Sequence, residues 1–202
     1  MKDIAHHLLD IAQNSVSAGA NIITIKITVS PKSKSAGKQD LIIEEKVSDT
    51  LTCEIIDNGR GMDQEFCKKV LDPFETTRET RDVGLGIPLL KQSCELAGGK
   101  LSINSVPYEG TTVKAEFEID HIDRIPLGDV AGTVKMLIIA NPEITWNIKF
   151  SSPEKEFGLN TCEIKHYLED IPLNNYDVLV WIEQKINEGI REVFGGVLDE
   201  IS

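Results

Sequence analysis

Residues 51–62 read LTCEIIDNGRGM, an apolar run that ends on an acid and passes at once into two glycines two apart. A run of this kind is a strand. It has to stop at Asp57, because the chain turns through Asn58-Gly59 and again at Gly61. Any sheet that accepts it must therefore carry a carboxylate at the strand's end. On these residues alone a plain hairpin turn fits equally well, since Asn-Gly after a strand is a strong turn signal.

The neighbouring segments narrow the choice. Residues 3–18 place Ile4, Leu8, Ile11, Ala12 and Ser15 on one helical face, and Gly19 ends the run. NIITIKITV (21–29) alternates with period two, and LIIEEKV joins LTCEIID as a further strand after the polar loop SPKSKSAGK. A short helix is expected over 63–71, capped by Asp63. DPFETTRETRDV has no usable period and reads as a loop. A second long helix over 86–97 stops at Gly98-Gly99, and the strands KLSINSV and TTVKAEFEI follow. The order predicts an α+β fold, a two-layer α/β sandwich with helices on one face of a sheet. DHIDRIPLGDVAG then breaks the pattern. Beyond it TVKMLIIAN and TWNIKFSS read as strands, while NTCEIKHYLED and YDVLVWIEQKINEGIREVF read as helices. The chain thus divides into residues 1–120 and a small C-terminal α/β appendage over 130–202.

Composition excludes several roles. A net charge of −12 over 202 residues leaves no basic footprint for nucleic acid or an anionic membrane. No stretch is long and apolar enough to span a bilayer, and MKDIAHHLLDIAQ lacks the form of a signal peptide. Cys53, Cys67, Cys94 and Cys162 have no paired ligand spacing, so they read as reduced thiols of a cytoplasmic protein, without a zinc site.

Four pieces carry chemistry. Asp10 and Asn14, at i and i+4, project from one face of the first helix. Asp57, Gly59 and Gly61 form the second piece. The loop from Pro73 into Gly84-Leu85-Gly86 at a helix start forms the third, and Thr111 on a late strand the fourth. Each suits part of a nucleotide. Glycines before a helix N-terminus suit phosphate. An asparagine amide oxygen suits magnesium alongside phosphate oxygens, and a carboxylate one turn away suits proton transfer. A buried acid suits the exocyclic amine of adenine. Taken singly, the same residues also read as solvated helix positions, a helix cap, a loop and an ordinary strand threonine.

Together and in this order, DIAQNSVSAGA, DNGRGM, PFETTR, GLGIPLLK and EGTTVKAEF resemble the ATP-binding domain shared by gyrases, sensor histidine kinases, mismatch-repair ATPases and ninety-kilodalton heat-shock chaperones, the GHKL or Bergerat fold. The resemblance covers residues 1–119. It implies that Asp57 holds adenine with Gly59, Gly61 and Met62 around the base, and that Asn14 holds magnesium. It also implies that Thr77, Arg78, Gly84, Leu85 and Gly86 meet phosphate, and that Thr111 supports the adenine contact. Asp10 stands where hydrolytic members carry glutamate and sensor kinases often carry asparagine. The hairpin bearing a phosphoacceptor histidine is missing from the chain given. His6 and His7 lie on the first helix and read as structural or solvent-facing. The expected function is a cytoplasmic Mg-ATP-binding kinase acting in signal transduction, which transfers the γ-phosphoryl to a partner protein. The alternatives are an ATP-gated interaction module and a slow ATPase with Asp10 as base. Residues 130–202 are expected to serve a partner or a homodimer, and a chain ending near residue 128 to keep the nucleotide site.

Overall fold

The computed structural model describes residues 3–31, 49–71, 86–196 and 198. The expected strand LIIEEKV and the loop that contains Thr77, Arg78, Gly84 and Leu85 lie outside the described residues. Asp3 caps the first helix, α1 (Ile4–Ser17), by accepting from the His6 backbone N–H. Strands β1 (Ile22–Ser30) and β2 (Thr50–Asp57) follow. Next come α2 (Gln64–Leu71), with Asp63 accepting from the Phe66 N–H, and then α3 (Gly86–Leu96), β3 (Lys100–Val106) and β4 (Gly110–Glu118). The remainder is α4 (Val130–Ala140), β5 (Thr145–Ser151), β6 (Glu156–Asn160), α5 (Thr161–Leu168) and α6 (Tyr176–Phe194).

The six strands among the described residues form one sheet in the order β3-β4-β2-β1-β5-β6. Every neighbouring pair is antiparallel except β1 with β5. Alternation decides the faces. Ile23, Ile25, Ile27 and Val29 of β1 are buried, whereas Thr24, Lys26 and Thr28 are half-exposed. The buried face meets α1, α3, α4 and α6, so the fold is the expected two-layer α+β sandwich. No helix among the described residues is long and apolar enough to cross a membrane.

One expected strand is a helix. The window TVKMLIIAN begins a turn late, inside α4, so the apolar run resembled a buried strand. The helix starts at Val130, where Asp129 accepts from the Gly132 N–H at 2.8 Å. Val130, Ala131, Val134, Leu137 and Ile138 are then buried at helical spacing. The short β6 was also not expected. Gly158 and its five-residue length leave little pattern to detect, and pairing with β5 supplies what local preference does not.

The C-terminal strands extend the sheet of the first 120 residues. The chain between β4 and α4 also returns to α1, where the carbonyls of Pro126 and Leu127 accept from the N–H groups of Ile4 and Ala5 at 2.9 Å. These are first-turn donors that no helix can satisfy internally. Trp146, Ile148 and Phe150 of β5 are fully buried in the common core. Trp146 is therefore a core residue, while Tyr167, Tyr176 and Trp181 stay exposed.

His7 is buried on α1, and neither ring nitrogen has a hydrogen-bond partner among the described residues. Burial pushes its pKa down to about 4 from the ordinary 6.5. The unfolded chain binds the proton first, so stability is intact above about 6.5 and is lost as the pH falls towards about 4. His7→Leu is expected to move the acid-unfolding midpoint to lower pH. Superimposable acid titrations of the two proteins would contradict this. His6 is exposed and sits 2.7 Å from Asp3 Oδ1 through its Nδ1.

Candidate functional site

Asp57 ends β2 between two strands, opposite Ile23 of β1 and Thr111 of β4. Its side chain is buried, with 9% of the residue exposed. Ser15 Oγ donates to Oδ2 at 2.6 Å, while the N–H groups of Gly59 and Thr111 donate to Oδ1 at 2.9 and 3.2 Å. A carboxylate accepts about four hydrogen bonds. Among the described residues Oδ1 is thus filled, and Oδ2 keeps one acceptor position.

Asp57 lines a cleft of about 130 Å³ together with Asn14, Ser15, Gly61, Met62 and Thr111, among others. Helix α1 supplies one wall and β4 the opposite one. The floor follows from Gly61, which has φ +64°. A Cβ there would stand 2.0 Å from the Val106 carbonyl oxygen, so only glycine lets the loop lie against the β3–β4 hairpin. Gly59 sits tightly too, since a Cβ on it would be 3.0 Å from both Ala18 Cβ and Asp57 Oδ1.

Ser105, on β3, closes the loop onto the sheet. Its Oγ accepts from the Met62 N–H at 2.8 Å, donates to the Gly110 carbonyl at 3.0 Å and lies 2.9 Å from Thr111 Oγ1. Thr111 consequently faces the cleft with its hydroxyl already engaged on one side.

Asp10 and Asn14 stand one turn apart on α1. Asn14 lines the cleft and is exposed. Asp10 lies against Gly86 at the start of α3, where an added Cβ would fall 1.5 Å from Asp10 Oδ2. That oxygen is buried without a hydrogen-bond partner among the described residues, and burial raises the carboxyl above its ordinary pKa. An unsatisfied buried carboxylate oxygen is costly in a fold that gains nothing from it.

Asn14, Asp57, Gly61, Met62 and Thr111 line one cleft, Gly59 is tied to Asp57 by its N–H, and Asp10 and Gly86 lie against each other outside the lining residues. Thr77, Arg78, Gly84 and Leu85 lie outside the described residues. Two hydrogen-bonding participants, Ser15 and Ser105, were not among the expected residues, and neither was Arg60, which lines the cleft. Ser15 shows in the sequence only as a hydroxyl on the apolar face of an amphipathic helix, a position that requires a polar partner from another element. Ser105 left no sequence signal, because only the β3–β4 register sets it opposite Thr111.

The residues fit a magnesium nucleotide. Asp57 offers a spare acceptor for a base, and Asn14, which lines the cleft, carries an amide oxygen. Asp10 supplies an oxygen unsatisfied among the described residues beside a helix start.

A comparison with protein-family models matches residues 2–121 to the "Histidine kinase-, DNA gyrase B-, and HSP90-like ATPase" family. Nitrogen regulation protein NtrY of Azorhizobium caulinodans is 39% identical over 77 residues, covering 35% of this chain and 10% of that protein. The non-motile and phage-resistance protein of Caulobacter vibrioides is 27% identical over 109 residues, covering 52% and 13%. The chain therefore spans only about a tenth of the length of these curated relatives. Among solved structures, the Aquifex aeolicus MutL ATPase domain complexed with ADP matches at TM-score 0.42 and 15% identity, covering 79% of this chain and 63% of that one. With more than half its length inside the family model, the chain belongs to the histidine kinase-, DNA gyrase B- and HSP90-like ATPase family.

Proposed function

We propose that the cleft binds magnesium–ATP and that the protein transfers the γ-phosphoryl to a partner protein. The observation that carries the binding half is Asp57, a buried carboxylate that lines the cleft, with three donors in place among the described residues and one acceptor position left. That position accepts from the exocyclic amine of adenine. Gly61 and Met62 give the base room, and Thr111 flanks it. Asn14 would hold the magnesium ion, which when bound neutralises phosphate charge. Asp10, one turn away, holds an oxygen with no partner among the described residues that takes a proton from an attacking hydroxyl, and its raised pKa makes it a stronger base. The roles of Thr77, Arg78, Gly84 and Leu85 at phosphate rest on the motif resemblance alone.

The same Asp10 observation supports a second reading, in which the attacking group is water and the protein is a slow ATPase. Incubating the protein with γ-labelled ATP and a lysate of its host separates the two. Label on a protein supports transfer, and free phosphate alone supports hydrolysis.

Four free thiols support a reducing compartment, and we assign the protein to the cytoplasm. Residues 130–202 are proposed as the surface for the partner or a second copy. Tyr167 and Trp181 border an apolar groove of about 430 Å³ there, away from the nucleotide cleft.

Asn14→Ala is expected to weaken nucleotide binding by roughly tenfold with magnesium, about 1.4 kcal/mol, and little without it. Titrations of ATP in magnesium and in chelator check this. Equal losses in both would make Asn14 a structural residue.

A further inference from the structure

We propose that Ser105 is a positioning residue that sets the hydrogen-bonding polarity of the cleft and so its preference for a purine with an amine, not a carbonyl, at C6. The proposal rests on the reading of the cleft as a purine nucleotide site.

The inference follows from counting protons. A serine hydroxyl has one proton and two acceptor positions. The Gly110 oxygen, 3.0 Å from Ser105 Oγ, is a carbonyl and can only accept, so it takes the Ser105 proton. The Met62 N–H, at 2.8 Å, can only donate and fills one acceptor position. The contact of 2.9 Å to Thr111 Oγ1 is then left with a single polarity, in which Thr111 donates to Ser105. With its proton spent, Thr111 offers only lone pairs to the cleft that it lines. Asp57, the cross-strand neighbour of Thr111, likewise offers only its spare acceptor on Oδ2.

The wall where these two residues meet is therefore built of acceptors. An exocyclic amine, with two N–H groups, matches it. A carbonyl oxygen at the same place, as in guanine or hypoxanthine, would face lone pairs on both sides. Asp57 supplies half of this discrimination through its charge. Ser105 supplies the other half without touching the base, by fixing the direction of a hydroxyl that could otherwise rotate and donate. It also ties Met62, in the glycine loop, to β3, so that loop and hydroxyl are set by one atom.

The test measures dissociation constants for ATP, GTP and ITP, each with magnesium, on the full chain. Loss of one neutral hydrogen bond corresponds to about 3- to 10-fold in affinity. Ser105→Ala is expected to lose about that much for ATP and to lose less, or gain, for GTP and ITP, so the preference for ATP contracts by about tenfold. Ser105→Thr keeps the hydroxyl and should hold the preference within about twofold. In a Thr111→Val background, Ser105→Ala should alter the preference no further. Equal weakening of all three nucleotides by Ser105→Ala would reduce Ser105 to a structural tether and overturn the proposal. If Ser105→Ala does not fold, Thr111→Val alone carries the test, and an unchanged preference in it overturns the proposal. A wild-type protein that binds none of the three would fail at the earlier step, removing the nucleotide reading itself.

Discussion

Asp57→Asn is expected to lower ATP affinity by about 100-fold or more while leaving the fold in place. The amide keeps an oxygen for the N–H groups of Gly59 and Thr111. The hydroxyl of Ser15 can turn to accept where it now donates. Those adjustments preserve the strand end. On the cleft side the change is not repaired, because an N–H donor replaces the spare acceptor and meets the donors of the adenine amine. An unmade buried hydrogen bond costs about 1–3 kcal/mol, and more when charge is involved. A hundredfold loss corresponds to about 2.8 kcal/mol. Calorimetric titration with ATP, alongside a thermal melt to establish folding, checks this. Unchanged affinity in a folded variant would remove Asp57 from the base contact.

A chain ending after residue 128 is expected not to fold cooperatively. The sequence alone favoured the opposite result, because the stretch before α4 looks like a linker. In the fold, β1 pairs with β5 from Ile22–Thr145 through Thr28–Ser151, so removing residues 129–202 strips one whole edge from a central strand. Trp146, Ile148, Phe150, Leu137, Ile138, Ile182 and Ile186, all fully or nearly fully buried, leave with it. Each large buried side chain contributes about 1.5–3 kcal/mol, and whole domains are stable by only about 5–15 kcal/mol. Helix α1, which carries Asn14 and Ser15, would also lose α4 as a packing partner. Circular dichroism melts of the two lengths decide the matter. A cooperative transition in the short chain within a few degrees of the full one would show that the C-terminal region is dispensable.

The sequence disclosed Asp57 and Gly61 because each breaks a pattern, an acid at the end of an apolar strand and a glycine in a loop too tight for a Cβ. Asp10 and Asn14 were legible from helical spacing. Their environments were not, since the buried oxygen of Asp10 depends on how closely Gly86 approaches from another helix. Helix α4 reads as a strand in the sequence because its exposed side also carries apolar residues, Met136 and Ile139, so few polar positions mark its period, and the capping Asp129 lies ahead of the TVKMLIIAN run. Ser105 was invisible for a different reason. Its role comes from register between strands, and no single strand records its partner's alignment.

The most direct measurement is an isothermal titration of the full chain with ATP in the presence of magnesium, with GTP as the comparison ligand. One saturable site is expected, with ATP bound more tightly than GTP by about tenfold or more and magnesium strengthening the interaction. Heats of dilution alone for ATP, from a protein shown to be folded, would contradict the assignment of the cleft.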